Sequence, residues 1–249
     1  MLCYEERGKI MCGRFTQKSE RKTISLEFYV QDFLSDVFLS YNVAPMQDAG
    51  VIIKDDVYRY ARYRWGLVPF WAKDPAIGNR MINARAETVP EKPSFRNAFA
   101  KRRCLIPADG FYEWKKEATY KTPYYIYHSS EKPMSFAGLW ESWTPREEKL
   151  LVQGVKADSP SIEREKPPAL QTFTIITTRA NNKLQELHDR MPVIIPREKR
   201  DVWLNPDTDT GQLIELLEPL SSDEIEFHEV SRMVNSPGNN SPQCIEPVV

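Results

Sequence analysis

The chain has 249 residues, 41% of them hydrophobic and 28% charged, with a formal net charge of −1. That length suits one large domain or two small ones with a proper core, and the composition is ordinary for a soluble globular protein. No apolar run approaches the ~18 residues of a membrane span; residues 1–10 carry Glu5 and Glu6 and no apolar stretch, which excludes a secretory signal.

In chain order, residues 19–35 read as a first helix with Ile24 and Phe28 on one face. "VIIKDD" and "VYRYARYRW" (51–65) read as a hairpin. The alternation of aromatic and basic residues over 58–65 gives its second strand one basic face. Residues 66–93 are rich in Gly, Pro and Asn and read as a long irregular loop, a place where function concentrates. Ser94 is placed to cap a short helix bearing Phe95 and Phe99. "RCLIPADGFYEW" (103–114) reads as strand, turn at 108–110 and strand; "TPYYIYH" (122–128) and "MSFAGLWESW" (134–143) are two more strands.

Residues 144–171 form a charged, Pro-rich insert with no readable motif, and "TFTIITT" (172–178) is a β-branched, buried strand. Short helices are expected at 181–187, 197–203 and 211–218, the last with Leu213, Leu216 and Leu217 on one face. "IEFHEVS" (225–231) is a final strand, followed by a turn-rich tail. The expected fold is a single α+β domain with a mostly antiparallel, barrel-like sheet and short flanking helices.

The charge is unevenly spread. From Arg59 to Arg103 there are eleven Lys/Arg and three Asp/Glu, a net of +8, whereas the rest of the chain nets −9. Tyr60, Tyr63, Trp65, Phe70, Trp71, Phe95 and Phe99 interleave with these charges. Cations beside flat aromatic faces suit single-stranded nucleic acid, by phosphate neutralisation and base stacking; a solvated strand face is the plain alternative.

Four cysteines (Cys3, Cys12, Cys104, Cys244) show neither CxxC nor zinc-ligand spacing, which argues against a disulfide framework and for a reducing, cytosolic setting. Cys104, inside apolar "CLIP", reads as a small buried hydrophobe; Cys12, beside Gly13 and Arg14, reads as part of a tight polar site. His188 precedes Asp189 and Arg190, which puts an acid and a fixed cation beside a titratable ring, whereas His128 and His228 lie in strands without a polar motif. Glu113, between Tyr112 and Trp114, is either a desolvated carboxyl suited to proton transfer or a half-buried strand residue paired to an arginine.

The ordered blocks "MCGRF" (11–15), "YNVAP" (41–45), "RWGLVPFWA" (64–72), "MINARAET" (81–88), "KPSFR" (92–96), "RCLIPADGFYEW" (103–114), "TIITT" (174–178), "HDRMPVI" (188–194) and "VNSP" (234–237) give the chain a resemblance to the SRAP, or SOS-response-associated peptidase, family. The resemblance implies a DNA-damage response protein, an abasic-site crosslinking, lyase-like enzyme. In this family the initiator Met is lost, and the exposed cysteine captures the aldehyde of an abasic site in single-stranded DNA as a thiazolidine.

Carried over by motif, it implies Cys12 as nucleophile with Asn83, Glu113 and His188 as supporting catalytic groups. Arg14, Arg85 and Arg190 match DNA-contacting arginines, and Pro69, Phe70 and Trp71 match a loop that wedges beside the lesion. Asn42, Pro45 and Trp114 belong to the same implied DNA surface. The implied domain runs from 11 to 240, with 1–10 a leader and 241–249 a C-terminal tail. The expected partner is single-stranded DNA carrying abasic sites. The chain is expected to be a cytoplasmic, DNA-associated monomer, with no metal, organic cofactor or membrane called for.

The chemistry is consistent in itself. An α-amine of pKa near 8 attacks an aldehyde as an imine, and a thiol two carbons away then closes a five-membered ring with a large effective molarity. That chemistry needs Cys12 at a free N-terminus, while ten residues precede Met11 here. Three explanations stand: translation starts at Met11; the leader is cut off; or the leader stays and no crosslink forms. Two other functions also stay open, namely a cysteine peptidase using Cys12 and His188, acting even on its own leader only, and a non-covalent single-stranded-DNA-binding module.

Overall fold

The structure, a computed structural model, describes residues 13–145 and 168–248. Cys3, Cys12, the leader and the bulk of the 144–171 insert lie outside the described residues. In chain order the elements are β1 (Phe15–Gln17), α1 (Arg21–Phe28), β2 (Asp32–Phe33), β3 (Ser40–Val43), β4 (Asp48–Lys54), β5 (Tyr58–Trp65) and β6 (Asn83–Arg85). Then come α2 (Arg96–Lys101), β7 (Arg103–Ala108), β8 (Gly110–Lys116), β9 (Lys121–His128), β10 (Met134–Trp143), β11 (Leu170–Arg179) and β12 (Arg190–Pro192). The chain closes with α3 (Arg200–Leu204), α4 (Thr210–Glu215) and β13 (Ile225–Glu229).

Five strands make a closed ring. β11, β10, β7, β4 and β5 pair in that order, and a parallel pairing of Thr172 with Arg64 and Phe173 with Trp65 joins β5 back to β11. Period-2 alternation sorts the ring's side chains. Val51, Ile53, Tyr63, Trp65, Cys104, Ile106, Phe136, Phe173 and Ile175 share one buried cluster. Ile52, Tyr60, Leu105, Ala137, Leu139 and Ile176 face the other way, where Phe28 of α1, Phe99 of α2, Trp203 of α3 and Leu213 of α4 cover them. Helices can cover only the outside of a ring, so the first cluster is its interior. Gly138 of β10 is needed there, since a Cβ would lie 2.2 Å from Ile106.

A second sheet, ordered β13-β9-β8-β1-β3, lays Phe15, Val43, Phe111 and Ile126 into the same interior cluster. The two layers are continuous through one residue. β7 ends at Ala108 in the ring and β8 starts at Gly110 in the second sheet. Asp109 fixes the corner by accepting hydrogen bonds from the amides of Lys18 (2.6 Å) and Ser19 (3.0 Å) and from the Ser19 hydroxyl. Gly110 follows because any side chain there would meet the Tyr125 ring at 2.3 Å.

Several elements differ from the sequence-based expectation. The first helix ends at Phe28 because Tyr29 turns left-handed (φ 56°), and the chain then joins β5 as β2. Ser94 does not cap α2: Phe95 holds that position, and the turn already begins with the Phe95 and Arg96 amides on Lys92 O. The expected basic face of β5 is split. The regular β4–β5 register sends Arg62 and Arg64 to the side of Tyr58 and Tyr60, and Arg59 to the opposite side, where it pairs with Asp32 and Asp55. The segment 181–187 is a single 3-10 turn at Leu184–Glu186. The segment 241–248 packs onto the second sheet through buried Cys244 and a bridge between Val230 and Pro247.

Candidate functional site

β1 sets the first wall of the site. Its antiparallel register with β8 pairs Phe15 with Phe111 and Thr16 with Gly110, and the Tyr112 amide donates to Arg14 O at 3.0 Å. One further step along that register puts Gly13 opposite Glu113. Glu113 shares the inward face with Phe111, lies across from Tyr124 of β9, and is only 4% exposed. Tyr112 and Trp114 point to the opposite face, into a separate cluster with Tyr125 and Cys244. Cys12, one peptide bond before Gly13, lies outside the described residues.

β6 and β12 form the second wall, on either side of β11's C-terminal half. Ile175 pairs in parallel with Asn83 and Thr177 with Arg85, while Thr177 also pairs with Pro192 and Arg179 with Arg190. Ala84 is buried under the outer helices, so Asn83 and Arg85 share the face that looks toward β1. The two walls are tied together by Trp65. Its ring lies 5.0 Å from that of Phe15, and its indole N–H donates to Ile82 O at 2.8 Å, one residue before Asn83.

His188 follows the turn that buries Leu184 and Leu187 in the interior cluster. Its Nδ1 accepts the Arg190 amide at 3.1 Å, which leaves Nε2 as the nitrogen that carries the proton in a neutral ring. Asp189 Oδ1 lies 3.1 Å from the same Nδ1. Arg190 bonds with both Nη atoms to the two carboxylate oxygens of Glu87, and its Nη2 donates to Thr177 O at 2.6 Å. The hydrogen bond from Arg190 holds the Glu87 carboxyl below the usual carboxylate range, and Arg85 adds to that effect.

A third group expected at the DNA surface is knitted into the protein. Asn42 is 1% exposed and spends its amide on the carbonyls of Val234, Ser236 and Asn239, which ties it into the scaffold behind the expected DNA surface. Arg14 donates to Asn42 Oδ1 (2.7 Å), Val234 O (2.7 Å) and Asn235 O (3.1 Å). The Trp114 indole N–H holds Asn235 Oδ1 at 2.7 Å. Together Arg14, Asn42 and Trp114 anchor the "VNSP" segment against β1 and β8. Pro45 is half-buried, directly before Met46 at φ 70°.

The loop after β5 differs in kind. Pro69 is buried, yet Phe70 and Trp71 are 54% and 39% exposed. The loop is pinned on both sides of them: Val68 N–H donates to Thr172 Oγ1 (2.9 Å), and Ala72 O accepts from the Trp143 indole (2.8 Å). Two large aromatic faces are thereby held in solvent by a fixed base. Tyr124, opposite Glu113, and Asn235, on Trp114, are site neighbours that the sequence reading missed; only the strand register exposes the first, while "VNSP" pointed toward the second.

The family described as SOS response associated peptidase (SRAP) matches residues 11–237. The chain belongs to the SRAP family. Abasic site processing protein YoqW of Bacillus subtilis (strain 168) is 46% identical over 241 residues, covering 95% of this chain and 99% of that protein. Abasic site processing protein HMCES of Pongo abelii is 32% identical over 242 residues, covering 84% of this chain and 65% of the relative. Among solved structures, a protein from Bacteroides thetaiotaomicron superposes with a TM-score of 0.79 at 25% identity, covering 96% of this chain and all of its own. A phage-related protein from Bordetella bronchiseptica follows at 0.62 and 27% identity, covering 89% and 95%. Thus the ring, the second sheet and the SRAP motifs belong together. Among the described residues no helix is long and apolar enough to cross a membrane.

Proposed function

We propose that this SRAP protein processes abasic sites in single-stranded DNA by covalent capture. Cys12, made N-terminal by removal of residues 1–11, condenses with the open-chain aldehyde. Its amine forms an imine with loss of one water, and its thiol adds across the C=N bond to close a thiazolidine. The observation that carries the reading is the β1–β8 register, which brings the residue after Cys12 opposite a buried carboxyl, Glu113. The naming of relatives at 46% and 32% identity as abasic site processing proteins supports the same substrate.

Each group then has a task that its surroundings suit. Glu113 shuttles the proton that opens the sugar hemiacetal and assists imine formation. His188 offers Nε2 to the sugar oxygen while the Arg190 amide fixes Nδ1. Asn83 orients the sugar, and Arg85, exposed on the same face of β6, neutralises a flanking phosphate. Phe70 and Trp71 stack on the bases beside the gap. A missing base carries no sequence information, so an aldehyde next to a stacking platform is a sufficient signature.

The test is intact-mass spectrometry of the protein before and after mixing with an oligonucleotide bearing one abasic site. The expected masses begin at Cys12 and rise by the oligonucleotide less one water; Cys12→Ser gives no adduct. Mature protein that never shifts in mass overturns the proposal. A peptidase reading draws on the family's description. It is confined here to cleavage ahead of Cys12, and it fails if the His188→Ala protein begins at Cys12 as fully as the wild type.

A further inference from the structure

Arg190 is not an open guanidinium. Its side chain is 14% exposed, and both Nη atoms lie on the carboxylate of Glu87, itself 52% exposed. A carboxylate bonded edge-on to a guanidinium occupies the position and geometry in which a phosphate would bind the same fork. Arg190 is also held from behind, by Thr177 O on Nη2, so the fork keeps its aim whether or not Glu87 stays. Glu87 is tied locally instead, its carboxylate accepting a hydrogen bond from its own backbone amide. It follows β6 on the exposed stretch that carries Arg85, two residues ahead.

We infer that Glu87 is a built-in stand-in for a DNA phosphate: it occupies the Arg190 fork in the free protein and must be displaced by a backbone phosphate of the incoming strand. This rests on the single-stranded-DNA reading above and adds a specificity-determining residue to it. The carboxylate cancels one cation where an intact strand would otherwise gain from it. Strand binding is weakened for every sequence alike, and a lesion held covalently is affected least, because capture does not depend on equilibrium affinity. Displacement breaks the Glu87–Arg190 bonds and replaces them one for one with phosphate oxygens, so no donor is stranded. Besides Arg190, the charge that acts on the Glu87 carboxylate is Arg85 on the β6 side.

The experiment is equilibrium binding of an undamaged single-stranded oligonucleotide across a salt series, for wild type, Glu87→Gln and Glu91→Gln. Glu91 is an exposed acid in the same loop and controls for simple loss of a negative charge. Glu87→Gln is expected to bind about three- to tenfold more tightly at low salt. Its log–log salt slope should stay that of the wild type, because the phosphate contact on Arg190 forms in both. Glu91→Gln should raise the affinity by less. In an Arg190→Ala background, Glu87→Gln should lose its advantage. Equal effects of the two glutamine variants, or weaker binding by Glu87→Gln with an unchanged melting temperature, overturn the inference. If Glu87→Gln melts early, the Arg190→Ala protein decides: a salt slope shallower by about 0.7 there supports a phosphate that takes the fork, and an unchanged one overturns the inference. Wild-type protein that neither binds the oligonucleotide nor crosslinks to an abasic one fails the functional reading instead.

Discussion

Arg103 and Arg190 show two ways of holding an arginine. Arg103, at the start of β7, is buried and donates to Trp203 O and Phe99 O at 2.6 Å, to Ala100 O at 2.5 Å and to Asn205 O. These carbonyls close the C-terminal ends of α2 and α3, where a cation is favoured by both the orphan carbonyls and the helix dipoles. Burial pushes the Arg103 guanidinium down to about 10, still charged at neutral pH. Arg190 keeps one carbonyl, Thr177 O, behind it and turns the front of its fork to a movable side chain, Glu87. Backbone carbonyls cannot leave a guanidinium without unwinding a helix, whereas a carboxylate on a flexible stem can rotate away. A count of basic residues therefore says little about which cations can meet a ligand. Of the +8 stretch, Arg59, Arg102 and Arg103 are all committed inside the protein.

This contrast is open to direct tests. The largest effect is expected from Arg103→Leu. Stranding several buried carbonyls at about 1–3 kcal/mol each should cost at least ~3 kcal/mol and lower Tm by roughly 6–12 °C. Arg190→Leu should shift Tm by no more than about 2–4 °C, since a half-solvated pair contributes only about 0–1 kcal/mol. Thermal melts that rank the two the other way would break the comparison. Next comes Trp71→Ala, expected to weaken strand binding by about 1–3 kcal/mol with no change in Tm; a fluorescence-anisotropy titration reads it. Arg85→Gln should make the log–log salt slope shallower by about 0.7. The smallest effect is in the acid range. The folded Glu87 carboxyl titrates below its usual value, so the pair's support is complete above the unfolded value and is lost as pH falls through the folded one. A carboxyl titration followed by NMR should show that value rise in Arg190→Ala.

Sequence alone carried the strands well, because the apolar and β-branched runs "VIIK", "YYIYH" and "TFTIITT" reflect burial on two sides, and those segments became β4, β9 and β11. It misjudged the faces of β5. One alanine, Ala61, shifts the phase of the Tyr–Arg alternation, and only the register against β4 shows where each arginine then points. The barrel-like sheet was expected and is present, but which strands close it was hidden, because a parallel contact between β5 and β11 joins residues about a hundred positions apart with no local signature. The motif residues were legible, yet their occupations were not. Nothing in the linear motifs shows that Asn42 and Arg14 also hold the carbonyls of 234–239. Glu87 was visible in "NARAET", while its partner stood in another motif 103 residues away.

β1 is only three residues long, but it lies between β3 and β8 and is hydrogen-bonded on both edges. Under the proposed capture, a DNA strand hangs from the residue that leads into it. Tension on that strand, where it is directed along β1, would fall on the ladders at both of its edges. Ladder bonds lie across the strand direction, so they would be loaded together in shear instead of being peeled one after another. The attachment point is thus a mechanical anchor as well as a chemical one, and the protein is expected to resist pulling along β1 far better than pulling on the edge strand β13.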